Sequence, residues 1–408
     1  MTMEYEVFTL PNGIRLIHKF DDSKPAHCGF IINTGSRDED DIEHGMAHFI
    51  EHAIFKGTSK RKAYHILSRL EDVGGDLNAY TTKEETCIHA TFLNNYYERA
   101  IDLIYDIVFN SIFPEKELEK EKDVVIDEIN SYKDSPAELI FDEFEELIYE
   151  GQSLGRNILG NPKTLKNFKQ QDITNFIEKK YHTNQMVFCS VGKIKFSKLV
   201  KLVLKYFGSV PKDYGKNNRV KFNGCNAVSK TLEKNTHQAH CIIGNIAYPA
   251  NDKRRLGLIL LNNILGGLGM NSRLNMVLRE KHGLVYNVES SYASYSDTGA
   301  LYVYFGTDKE NLEKSIKLVY KEFGKLRDVT LGSIQLAKAK RQLIGQLTIG
   351  YENKESVMLA MGKSLLRFNK FDTLEIINKK IENITATQLQ EIANEILNQD
   401  KLSCLIYK

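Results

Sequence analysis

The residues with the most chemistry in them fall in one short run, His44-Gly45-Met46-Ala47-His48-Phe49-Ile50-Glu51-His52. Wound as a helix, the run and its continuation spread Met46, Ala47, Phe49, Ile50, Ala53 and Ile54 around most of the circumference, the pattern of a helix buried nearly all round. The polar remainder, His44, His48, Glu51 and His52, is spaced three and four apart and stacks on one face. Two imidazoles at i and i+4 can converge on one metal ion, and the carboxylate between them faces the same space and can move a proton there. A hydrogen-bonded core cluster with no ion is the alternative.

A pair of histidines needs at least one more protein ligand to hold a catalytic zinc with an open position. The helix expected from Glu115 to Tyr132, begun by Pro114, offers candidates: its apolar stripe of Leu118, Val125 and Ile129 also carries Glu121 and Glu128, two turns apart. Carboxylates among buried apolar positions are costly unless they are paired, protonated or bound to a cation. Lysine partners on a half-exposed face would equally satisfy both.

The elements that must position these residues are those of an ordinary globular chain. Its 408 residues, 42% hydrophobic and 26% charged, exclude collagenous, disordered and disulfide-scaffold classes. Lys+Arg 55 against Asp+Glu 53 gives no reason to expect a polyanionic partner, nucleic acid included. Residues 1–5 lead directly into a strand with no basic and apolar leader, and no apolar stretch reaches the ~20 residues of a membrane span, so a soluble, cytoplasmic protein is expected. Six cysteines without a Cys-x-x-Cys pair read as buried thiols in a reducing compartment. Neither Gly266-Gly267-Leu268-Gly269 nor Gly362-Lys363-Ser364, which has Val357 where a phosphate loop needs glycine, reads as a nucleotide site.

An internal repeat organises the rest. Ala26-His27-Cys28, opening an apolar strand, returns 213 positions on as Ala239-His240-Cys241, and a helix-to-strand passage, Thr164 to Val191, returns from Asn383-Ile384-Thr385 to Leu402-Ser403-Cys404-Leu405. Strands alternating with helices give an α+β class: two similar halves, each a mostly antiparallel sheet with helices packed on one face. The expected divisions are 1–210, a polar turn-rich linker at 211–224, and 225–408.

His48-Phe49-Ile50-Glu51-His52, followed 76 positions later by Glu128 within Val124-Val125-Ile126-Asp127-Glu128-Ile129, resembles the zinc site of the inverzincin metallopeptidases, the family of pitrilysin, the insulin-degrading enzyme and the mitochondrial processing peptidase. Leu10-Pro11-Asn12-Gly13, Gly74-Gly75-Asp76-Leu77-Asn78-Ala79-Tyr80-Thr81 and Leu278-Arg279-Glu280-Lys281-His282-Gly283-Leu284-Val285-Tyr286 extend the resemblance over nearly the whole chain. It implies one Zn2+ per chain held by His48, His52 and Glu128, Glu51 as catalytic base, Glu121 as a supporting carboxylate of the catalytic group, and a short bacterial-type member of the family. It also implies that a strand running from Asn78 to Leu93 takes the substrate as an added strand through Asn78 and Ala79, and that Arg279 and Tyr286 grip substrate.

The function expected from this is hydrolysis of unstructured peptides or presequence-like segments inside a closed chamber. A non-catalytic assembly or scaffold subunit of the same fold is the alternative. Sliding by about 211 puts Asn262 and Asn263 opposite Glu51 and His52, so only the first half carries a metal set. A chain holding both the motif and the Arg279/Tyr286 pair suggests a homodimer in which each site is completed by the partner. His44 is the unassigned member of the stripe, a helix-start residue beside Gly45 or a neighbour of the ligands.

Overall fold

A computed structural model describes residues 5–408; the expected direct lead into the first strand lies, for residues 1–4, outside the described residues. The first sheet has six strands, β1 (Glu6–Thr9), β2 (Arg15–Phe20), β3 (Pro25–Ile32), β4 (Asp76–Thr81), β5 (Thr86–Leu93) and β6 (Met186–Gly192), in the order β1-β2-β6-β3-β5-β4. The second has five, β7 (Ser229–Leu232), β8 (Ala239–Ala247), β9 (Val285–Ser294), β10 (Gly299–Thr307) and β11 (Ser403–Tyr407), in the order β7-β11-β8-β10-β9. Without β1 the two orders match strand for strand. The pairs β2–β6 and β7–β11 are parallel and all other neighbours antiparallel. The two Ala-His-Cys triplets begin the matching strands β3 and β8. The expected α+β duplication is therefore present.

The compact units do not follow sequence order. One gathers the chain up to Asn130, Arg156–Arg219 and Gly350–Phe371; the other gathers Ser131–Gly155, Val220–Ile349 and Asp372–Lys408. The division expected at 210/225 lies near one crossing, but two segments change sides. The cause is that central strands such as β3 and β6 are buried on both faces and need a second cover. In the first unit the Lys354–Phe368 helix lays Val357, Met358, Met361 and Leu365 on Ile17, Ile31, Val187 and Cys189. In the second, the Pro136–Ile148 helix lays Ile140, Phe144 and Ile148 on Ile242, Leu405 and Tyr407. Each large side chain so buried contributes about 1.5–3 kcal/mol.

The expected linker has neither helix nor strand, yet through Arg219 it is tied to the first unit: Asp213 O accepts the Thr183 N–H at 2.9 Å, and Arg219 pairs with Asp38 at 2.8 Å. Two sequence expectations are corrected. The strand read from Asn78 to Leu93 is a hairpin, β4 and β5, turned at Thr82 to Glu85. Thr164 to Val191 holds the end of the Pro162–Leu165 helix, a separate Gln170–Lys180 helix, and β6. All six cysteines are free, five buried and Cys225 exposed. No helix among the described residues is long and apolar enough to cross a membrane.

Gly362 marks the tightest approach of the covering helix to the first sheet: an added Cβ would meet Ile31 Cδ1 at 2.6 Å and Cys189 Sγ at 2.8 Å. Gly362→Val is expected to cost about 2 kcal/mol of stability by overpacking. Gly345→Ala, on a helix where the added Cβ meets nothing, is expected to be neutral or to stabilise by up to about 1 kcal/mol. Urea denaturation of both variants measures the difference.

Candidate metal centre

The motif helix spans Met46–Ala53, and its start is fixed in two ways. Gly45 caps it at φ +95°, and a Cβ there would meet Gly160 Cα at 2.8 Å and Leu159 O at 3.0 Å, so only glycine turns this corner. The buried Glu39 carboxylate accepts the N–H groups of Gly45 at 2.9 Å and Ala47 at 2.8 Å, two donors that the first helical turn leaves unsatisfied. Met46, Ala47, Phe49, Ile50 and Ala53 enter the apolar core of the first unit. His48, Glu51 and His52 occupy the remaining face. His44 does not join them: it precedes the helix, with Nε2 against Asn157 O at 2.9 Å and Nδ1 against Asn161 Nδ2 at 3.2 Å. The left-handed turn at Gly45 breaks the helical spacing that stacked it with the others.

The second helix spans Glu115–Lys133 and anchors Leu118, Val125 and Ile129 in the same core. Phe113, just before Pro114, is held at φ +48°, a costly conformation for a bulky residue, where the chain turns into this helix. Glu121 and Glu128 point to the motif helix. Glu128 Oε2 lies 3.8 Å from His48 Nε2 and 3.5 Å from His52 Nε2. Glu121 Oε1 is 2.9 Å from His52 Nδ1 and Glu121 Oε2 is 2.6 Å from Lys56 Nζ. Both oxygens of Glu121 are thus engaged, which leaves Glu128 as the carboxylate facing the two imidazoles.

Electrostatics sorts His48, His52, Glu121 and Glu51. Burial, with the neighbouring His52, pushes His48 down to about 3, so its Nε2 lone pair stays available. For His52, burial opposes charge, but the hydrogen bond and charge of Glu121, then Glu128 and Glu51, outweigh it and raise the pKa. A proton on Nδ1 directed at Glu121 leaves Nε2 as the donor atom toward Glu128. Burial of Glu121 is likewise outweighed, by His52 and Lys56, and its pKa falls. Burial raises Glu51, and its Oε2 is buried without a partner.

The donor set fits zinc. His48, His52 and Glu128 each offer an atom, all within 4.8 Å of one another, the one such group of metal-binding side chains among the described residues. Tetrahedral zinc with bonds of about 2.1 Å spaces its donors about 3.4 Å apart, close to the 3.5 and 3.8 Å observed. Three donors would leave one position open on a tetrahedral ion.

The other expected residues are carried by other elements. Asn78 and Ala79 are on β4, paired with His89 and Ile88 of β5, and β4 is the outermost strand of its sheet. Arg279, on the Asn275–Lys281 helix, and Tyr286, on β9, belong to the second unit and are open to solvent, with 49% and 72% exposed. Sequence reasoning missed Glu39 and Lys56. Lys56 four residues after His52 was within reach of helical spacing, whereas Glu39, six and eight residues before the N–H groups it accepts, lies outside the helix and shares none of its periodicity.

Residues 16–162 match the family model "Insulinase (Peptidase family M16)" and residues 167–343 match "Peptidase M16 inactive domain". The chain is 34% identical over 400 residues to "Uncharacterized zinc protease YmxG" of Bacillus subtilis, covering 98% of this chain and 97% of that one. It is 33% identical over 410 residues to an "Uncharacterized zinc protease" of Rickettsia felis, covering 100% and 98%. Among solved structures, a protease from Helicobacter pylori superimposes with TM-score 0.90 at 21% identity over 99% of both chains. A peptidase M16 inactive domain from Pseudomonas fluorescens gives 0.92 at 20% identity over 99% of this chain and 98% of that one. At these identities the structures show the fold.

Glu121→Gln is expected to weaken zinc binding by about 10–100-fold, because it removes the carboxylate that orients His52 without removing a donor. Lys56→Met should act more weakly. Competition with a chelator gives both constants.

Proposed function

The chain belongs to the M16 family of peptidases, and from that premise we propose that it is a zinc endopeptidase of unstructured peptides, including presequence-like segments, working in a closed chamber. The observation that carries the reading is the convergence of His48 Nε2, His52 Nε2 and Glu128 Oε2, with Glu51 between the two histidines on the same helix and its Oε2 buried without a partner. These three residues would hold one zinc per chain. Bound there, zinc would lower the pKa of a water in its open position to about 7. Glu51 accepts the proton of the attacking water and delivers it to the amide nitrogen as the C–N bond breaks. Glu121 keeps His52 in the tautomer that presents Nε2.

The edge of β4 suits an extended peptide. Thr82 N–H bonds Glu85 O at 2.8 Å, so backbone groups of alternate residues Tyr80 and Asn78 turn toward β5. Those of Leu77 and Ala79 turn away from it and can pair with an added strand, which gives affinity with little demand on side-chain identity. Arg279 and Tyr286 complete the site of the partner in a homodimer, gripping the substrate and polarising the scissile carbonyl. Six free thiols suit the reducing cytoplasm.

A scaffold role for the whole chain is disfavoured by where the motif survives. The "inactive domain" description falls on 167–343, where Asn262 and Asn263 stand opposite Glu51 and His52, while 16–162 keeps every donor.

Glu51→Gln is expected to retain zinc and lose about 10²–10⁴-fold in kcat on an unstructured peptide. Zinc far below one per chain, or equal cleavage by both proteins, would overturn the peptidase reading. Mixing Glu51→Gln with Arg279→Ala subunits should restore roughly a quarter of wild-type activity after random exchange in a dimer, and no recovery would refute sharing between subunits.

A further inference from the structure

The histidine pair and the edge offered to a peptide sit on different elements, the motif helix and β4. Which bond of a paired peptide meets the metal therefore depends on how these two elements are held against each other. One polar node in the first unit touches the supports of both. The turn from β4 to β5 lies against the chain that leads into the motif helix: Ser36 N–H bonds Thr82 O at 3.1 Å, and Arg37 N–H bonds Lys83 O at 2.8 Å. A Cβ added to Gly35 would meet Lys83 C at 2.6 Å and Glu84 N at 2.7 Å, so the two segments are in backbone contact. Arg219 spans this junction. Its Nε and Nη2 donate to the two oxygens of Asp38 at 2.9 and 2.8 Å, and Nη2 also donates to Glu84 O, in the turn, at 2.8 Å. Asp38 adjoins Glu39, whose carboxylate takes the N–H groups of Gly45 and Ala47 at the start of the motif helix.

The charges at the node cancel. Arg37 and Arg219 face Asp38 and Glu84, with Arg37 Nη1 at 2.8 Å and Arg219 Nη1 at 3.7 Å from Glu84 Oε1. Arg37, Asp38 and Glu84 are buried. Taking such a group of ions out of water is costly, and well-packed apolar side chains of the same volume often serve stability as well or better. What an apolar plug cannot do is hold a carboxylate and a carbonyl from two separate segments at fixed angles, which a planar guanidinium fork does.

We propose that Arg219 is a positioning residue of the metal centre: acting through Asp38 and Glu39 on one side and the β4–β5 turn on the other, it sets the peptide-pairing edge of β4 against the zinc ligands. This rests on the peptidase reading above, the pairing of substrate with β4 included. Arg219 touches neither the ligands nor the peptide edge, and its effect falls on where a bound peptide is cut.

Arg219→Lys keeps the charge balance of the node but replaces the fork by a point charge on a flexible stem, which cannot hold both oxygens of Asp38 and Glu84 O at once. Zinc-loaded wild type and Arg219→Lys digest an unstructured peptide with several susceptible bonds, and mass spectrometry reads the products. Arg219→Lys is expected to lose about 10–100-fold in kcat with KM within about twofold and zinc content unchanged, and to raise the share of cuts one or two bonds from the wild-type site at least about threefold. Wild-type kcat, a loss that follows zinc content or KM, or a loss with the product pattern unchanged, as a smaller folded fraction would give, overturns the proposal. Amide hydrogen exchange reads the same claim without turnover. In Arg219→Lys the amides of Met46–Ala53 and Asp76–Thr81 should exchange at least about threefold faster while those of β3 and β6 keep the wild-type rate. Unchanged exchange in the first two elements, or faster exchange in all four, overturns the proposal whatever the activity. A wild type that cleaves nothing sinks the peptidase reading, and the exchange rates then decide Arg219 on their own.

Discussion

Five ionisable side chains, His48, Glu51, His52, Glu121 and Glu128, meet beside an apolar core, and the rest of the first unit is arranged around the cost of holding them there. Bringing three carboxylates together partly out of water is unfavourable, and two imidazoles relieve it only in part. Lys56 neutralises one carboxylate and His52 orders it, which leaves Glu128 and Glu51 with no permanent positive partner of their own. A divalent cation between His48, His52 and Glu128 would resolve that imbalance. The motif helix can carry this load because its other faces are anchored by Met46, Ala47, Phe49, Ile50 and Ala53 and its N-terminus is satisfied by Glu39.

The second unit shows the same framework without that burden. Its strand order repeats that of the first, and its corresponding helix carries Asn262 and Asn263, neutral residues that need no cation. Asn262 settles into hydrogen bonds with Ser290. Duplication thus separated the requirements of the fold from those of the chemistry. Both units keep a sheet covered on two faces, and among the described residues only the first keeps a cluster of metal-binding side chains.

Much of this was legible from residue spacing, because the buried helix and the stripe of carboxylates follow the 3.6-residue period and the period survives folding. The repeated Ala-His-Cys triplets located the matching central strands for the same local reason. What escaped was set by partners far away in the chain. The turn between β4 and β5 has no glycine, proline or asparagine to announce it; Glu84 is held by Arg37 and Glu85 by Lys363 and Arg367, so a hairpin read as one strand. The reciprocal placement of the Pro136–Ile148 and Lys354–Phe368 helices has no local signature either, since an apolar face does not say which sheet it covers. His44 shared the spacing of the motif but lost the helix to one left-handed glycine. Glu39, six residues before the helix cap, is defined only by what it touches.

The central claim is that the buried polar cluster of the first unit is a zinc site of two imidazoles and one carboxylate. Anomalous diffraction at the zinc edge from crystals of the zinc-loaded protein tests it most directly. The account requires one peak per chain, about 2.0–2.2 Å from His48 Nε2, His52 Nε2 and a Glu128 oxygen, with Glu121 outside bonding distance. A peak elsewhere, a sulfur ligand, or Glu121 in place of Glu128 would contradict it.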